Sequence, residues 1–200
     1  MSTTTPNLAD QIGQANSKRS AARLAAVQAL YQMDVAGTDL NDVLAEFRSN
    51  YFSGAAIESD GDSHSDRDAA QASAAAVSAE KTDAEAEGAP EENELLDLGY
   101  FEDILTGILK SQAELDPLID GHLRSGWRLN RIDATLRAIL RAGAYELKSH
   151  GKLSIGLIID EYLHIAHAFF EGDEPKVVNG VLDKLAKSIR GDKSDKSSDA

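Results

Sequence analysis

Apolar residues in this chain recur at intervals of three and four, and no segment alternates with period two between turn signals. That pattern restricts the fold to helices. Leu24, Val27, Leu30 and Tyr31 form one stripe of a helix predicted from Ser17 to Ala36, and Gly37 follows as its stop. Thr38 is the expected cap of a second helix with Leu40, Val43, Leu44 and Phe47 on its face. Leu95, Leu98, Phe101, Ile104, Leu105 and Ile108 predict a third. Asp116-Pro117 reads as a cap followed by proline at the first helical position, so a short fourth helix is expected there. Asn130 is the expected cap of a fifth, carrying Ile132, Leu136, Ile139, Leu140 and Leu147. The sixth, Ser154 to Phe170, is strongly apolar and is expected to be central and buried. The last begins at Pro175 and carries Val178, Val181, Leu182 and Leu185. The chain is therefore all-α, with about seven helices. Gly107, Gly143 and Gly156 fall inside helices, where each costs roughly 1 kcal/mol against Ala. Close helix–helix contact is the expected compensation.

One segment breaks the pattern. Residues 54–93 hold one Ile, one Val, no Leu and no aromatic among Ala, Ser, Gly and acid. Such a stretch buries too little apolar surface to offset its ordering entropy, and it reads as a disordered acidic insert. Residues 1–15 and 191–200 read as disordered tails. What remains, 16–53 with 94–190, is one domain of about 135 residues over 16–190, enough for one cooperative core.

The net charge of −14 argues at first against a nucleic-acid partner, but its location matters more than its sum. Residues 54–93 contain 11 acids and 2 bases. Residues 16–31 contain three bases, Lys18, Arg19 and Arg23, and no acid. Residues 120–152 contain seven bases and three acids.

Catalytic signatures are missing. There is no cysteine, hence no disulfide and no thiolate metal site. No phosphate-cradling glycine loop and no Gly-x-Ser-x-Gly elbow occurs. Glu161 and His164 have the Glu-x-x-His spacing of di-iron bundles, but those need the motif twice, and here it occurs once. His164 and His167 are read as packing or surface residues. The expectation is no enzyme, no cofactor and no metal. No apolar run approaches a membrane span, and the N-terminus has no secretory h-region, so the expected location is cytoplasmic.

Two basic regions remain. Arg19 and Arg23 lie one helical turn apart and are expected to face one way, with Gln28 and Tyr31 further along. Guanidinium groups grip phosphates; an amide and a phenol ring hydrogen-bond to or stack on unpaired bases. A solvated helix face explains the same residues. Arg124, Arg128, Arg131, Arg137 and Arg141 cluster around Trp127 and the following helix; they suit RNA, an acidic partner, or neutralisation of nearby acids.

Several longer stretches carry a resemblance. Val27-Gln28-Ala-Leu30-Tyr31 after basic residues, Trp127-Arg-Leu-Asn-Arg131, Ile139-Leu-Arg141-Ala-Gly-Ala-Tyr145-Glu146-Leu147, Ile158-Ile-Asp-Glu161, Ala166-His-Ala-Phe169 and Val178-Asn-Gly-Val-Leu182-Asp183 resemble, in order and spacing, the NusB family of transcription antitermination factors. The resemblance spans essentially the whole 135-residue core. It implies a single helical domain of two small bundles and no catalytic residues. It also implies binding to the boxA element of ribosomal RNA leaders together with a small-subunit ribosomal protein, NusE, within the RNA polymerase antitermination complex. Carried over by position, it implies RNA contacts at Lys18, Arg19, Arg23, Gln28, Tyr31 and Lys176, and partner contacts at Arg131 and Asp173. Ser20, Ala21 and Ala22 interrupt the family's denser arginine cluster, and Val177 replaces its usual Phe. Two other readings stand beside it. One is a helical adaptor that binds only proteins. The other is an RNA-targeting module like those opening some ribosomal RNA methyltransferases, which the polar end at Ala200 disfavours.

Overall fold

A computed structural model describes residues 8–52 and 96–191 of the chain. They form six α-helices, α1 (Leu8–Ala36), α2 (Leu40–Phe52), α3 (Leu98–Asp120), α4 (Ala134–Ser149), α5 (Ile155–Phe169) and α6 (Glu174–Gly191), with a one-turn 3-10 helix at Leu129–Arg131. No strand occurs among the described residues. The acidic stretch 54–93, expected to be disordered, lies outside them.

Helix α1 starts nine residues earlier than the apolar stripe predicts, inside the segment read as a tail. Within the added turns Gly13 to Asn16 are exposed, so this stretch continues no buried stripe. Further on, the helix buries Ala22, Ala25, Ala26, Val27, Ala29 and Leu30. Four of these are Ala, which lets neighbouring helices approach closely. Gly37 ends α1 at φ +67°, its N–H donating to Met33 O at 3.1 Å. The cap of α2 is Asp39 rather than Thr38; its carboxylate accepts the Asn41 N–H at 2.8 Å.

The expected fourth helix does not exist separately. Pro117 lies inside α3, close to its end. A proline there withholds only one donor, and the Gly121 and Leu123 N–H groups close the carbonyls of Pro117 and Ile119. Asp116, read as a cap, instead binds Arg141 through both carboxylate oxygens, at 2.9 and 2.8 Å. Asn130 sits in the 3-10 turn, and Asp133 caps α4 by accepting the Thr135 and Leu136 N–H groups. Ser154 caps α5 as expected.

The central helix is α4, not α5. It packs against α1, α3, α5 and α6, and is therefore shared by two small bundles, α1/α3/α4 with α2 on the flank, and α4/α5/α6. Ten of its residues are buried, Leu136 through Leu147 except Arg137 and Arg141. Helix α5 buries Ile158, Ile159, Tyr162, Ile165 and Ala166, but leaves Leu157, Asp160, His164 and His167 exposed. Arg190 on α6 closes the far end of α4, donating to the carbonyls of Leu147, His150 and Leu153.

Two of the three helical glycines permit close approach. A Cβ on Gly107 would lie 2.1 Å from the Tyr145 ring, and one on Gly143 2.8 Å from Leu182. Gly156 departs from the expectation: a Cβ there meets nothing within 4 Å.

Candidate nucleic-acid interface

Arg19 and Arg23 do face one way, but toward Tyr100 of α3, with guanidinium carbons 5.3 and 5.2 Å from its ring centroid. Their environments differ. Arg19 is 45% exposed and pairs loosely with Asp97 at 3.5 Å. Arg23 is 3% exposed. Its Nε donates to both Glu146 oxygens at 3.0 and 3.2 Å, one terminal nitrogen to Glu161 at 3.2 Å, and the other to the Tyr100 hydroxyl at 2.9 Å. Tyr100 and Tyr162 in turn donate to Glu146, at 2.8 and 3.2 Å.

The expectation placed Arg23 against RNA; in the structure each of its three guanidinium nitrogens is bonded inside the protein. The reason is positional. Arg23 precedes Val27 by four residues and so lies on the apolar stripe, facing the core. Glu146, fully buried on α4, is the partner that the sequence does not pair with it by proximity. Burial opposes the charge of Arg23, but the Glu146 carboxylate, with Tyr100 and Tyr162, outweighs it and holds the guanidinium above its ordinary pKa. Burial, reinforced by Glu146, raises the phenols of Tyr100 and Tyr162 as well.

Elsewhere on α1, Lys18 is half-buried and its carbonyl accepts the Asp97 N–H at 3.1 Å, tying α1 to the start of α3. Gln28 is half-buried; Tyr31 and Val35 are exposed near the end of the helix.

The arginine cluster divides. Arg137 binds Asp34 of α1 at 2.6 Å and donates to the carbonyls of Leu129 and Ile132 at 3.2 Å each. Arg141 binds Asp116. Both neutralise acids. Arg124, Arg128 and Arg131 are exposed around the exposed Trp127, and none makes an ion pair among the described residues. Asp173 and Lys176, both on the surface, pair at 2.6 Å. That bond, with a smaller contribution from Arg124, holds the Asp173 carboxyl below its ordinary range.

Glu161 points to Arg23 rather than to a metal, and among the described residues no group of three His, Asp or Glu is placed to hold one. Among them, too, no helix is long and apolar enough to cross a membrane.

Residues 69–187 match the family model described as the NusB family. The chain belongs to the NusB family. It is 42% identical over 175 residues to a transcription antitermination protein NusB of Bradyrhizobium sp. (strain ORS 278), covering 88% of this chain and 85% of that one. It is 41% identical over 192 residues to the NusB of Sinorhizobium fredii (strain NBRC 101917 / NGR234), covering 96% and 98%. The fold resembles that of T. maritima NusB, with a TM-score of 0.58 and 26% identity over 88% of this chain and 96% of that one. In this NusB-family chain, the Tyr-Glu-Leu stretch of the resemblance supplies Tyr145 against Gly107 and Glu146 against Arg23.

Proposed function

We propose that this chain is a transcription antitermination factor that binds boxA RNA together with the small-subunit ribosomal protein NusE, joining the RNA polymerase antitermination complex in the cytoplasm. It works by binding rather than by catalysis. The observation that carries the reading is the exposed half of α1. Arg19 stays open to solvent, Lys18 adjoins it, and Gln28 and Tyr31 follow on a helix fixed from within by Arg23. The antitermination names of the relatives support it. Phosphates fall to Lys18, Arg19 and Lys176, and bases to Gln28 and Tyr31. The ribosomal protein falls to Arg131 and Asp173.

The test is an anisotropy titration of labelled boxA RNA with the full chain, with and without the ribosomal protein. The pair should bind boxA more tightly than a scrambled RNA at equal salt. Equal affinity for both RNAs sinks the reading. Retained affinity for the ribosomal protein without any RNA contribution would favour a protein-only adaptor.

A further inference from the structure

We infer that Trp127 is a stacking platform for one unpaired base of a single-stranded RNA, with Arg124 and Arg128 holding the flanking phosphates. This deepens the RNA-binding reading above and rests on it. Trp127 is 39% exposed, one of only four large apolar side chains left open among the described residues. The charge around it sets the occupant. In a chain of net charge −14, Arg137 and Arg141 find acids, yet Arg124, Arg128 and Arg131 beside Trp127 form no ion pair among the described residues. An exposed indole on a loop that also carries three exposed guanidinium groups without ion pairs matches a polyanion that carries flat bases. An acidic protein segment would satisfy the arginines but leave the ring without a planar partner.

The loop backbone beneath the ring is preorganised. The Trp127 backbone N–H donates to Arg124 O at 2.9 Å, the Leu129 N–H to the Asp120 carboxylate at 2.7 Å, and the Arg131 N–H to Arg128 O at 2.9 Å. Gly126, at φ +85°, makes the turn that precedes the indole. Little backbone ordering entropy is then lost on binding.

Its location extends a track. Arg137 ties the carbonyls of Leu129 and Ile132 to Asp34, three residues beyond Tyr31 on α1. The loop carrying Trp127 therefore sits beside the end of α1, from which the sequence sets it some 90 residues apart.

Trp127 is the only tryptophan of the chain, so its emission reports on this position alone. Full-length protein is titrated with a labelled single-stranded boxA RNA, reading label anisotropy and tryptophan emission together. The emission should be quenched with the same midpoint as the anisotropy rise. Trp127→Ala should weaken binding by about 5- to 100-fold, as loss of one base–aromatic stack does, and Trp127→Phe should restore most of it. Arg128→Gln should lower the slope of log affinity against log salt by about 0.7, the value for one phosphate on a single strand. Helical circular dichroism of each variant checks folding. An anisotropy rise with unchanged emission and wild-type affinity for Trp127→Ala overturns this inference alone. No anisotropy rise overturns it together with the RNA reading. If the ribosomal protein, and not RNA, shields Trp127 from acrylamide, the surface is a protein contact and the inference falls.

Discussion

A guanidinium that is 3% exposed cannot reach a phosphate without leaving two carboxylates behind, one of them fully buried. Arg23 and Arg19 are four residues apart on one helix, yet they play opposite roles. Breaking a buried pair from one side leaves an uncompensated charge and costs about 3–5 kcal/mol. Arg23→Ala should therefore lower the unfolding free energy measured in urea by most of that amount, whereas Arg19→Ala, at a half-exposed position, should shift it by less than about 1 kcal/mol. RNA affinity should respond in the other order, with Arg19→Ala weakening binding in a well-folded protein. Equal stability losses in the two variants would refute the division. The inward role of Arg23 was partly legible, since it falls in register with Ala26, Val27 and Leu30. Its partner was not, because Glu146 is 123 residues away.

At the scale of elements, local signals located the helices well and their ends poorly. Ser154 capped α5 and Gly37 closed α1 because each acts on N–H or carbonyl groups within four residues. Asp116-Pro117 misled because an ion pair to Arg141, on another helix, claims the would-be cap. Apolar α5 was expected to be central, and charged α4 takes that place instead. The reason is that Arg137, Arg141 and Glu146 all find partners on neighbouring helices while α5 leaves one face open. The glycines give a test of helix contact. Gly107→Ala presses on the Tyr145 ring and should destabilise by about 1–3 kcal/mol. Gly180 is exposed inside α6, and a methyl group added there would meet nothing within 4 Å. Its change to Ala should stabilise by about 0.5–1 kcal/mol. Thermal unfolding followed by circular dichroism reads both; a shift of the same sign in both would show that packing does not set these positions.

For the whole molecule, the Glu146 carboxylate gathers Arg23 of α1, Tyr100 of α3 and Tyr162 of α5 around α4. That hub links the two bundles and carries a pH dependence. Both phenols have folded-state pKa values raised above the ordinary value near 10, first through burial. The unfolded chain thus releases these protons first. The stability they contribute is fully present below about pH 10 and is lost as pH rises toward the folded values. The urea midpoint should fall above about pH 10, and Tyr162→Phe should flatten that fall beyond what lysine ionisation causes. An unchanged alkaline slope in that variant would count against the hub. By itself, the sequence determined the helical class, the position of the apolar stripes and the family, because these depend on residue spacing along one chain. Which helix is central, which arginines are spent on acids, and which stay open beside Trp127 were decided only by the tertiary structure. A charge's availability depends on what folding brings within about 3 Å of it, and for Arg23 and Arg141 those partners come from other helices.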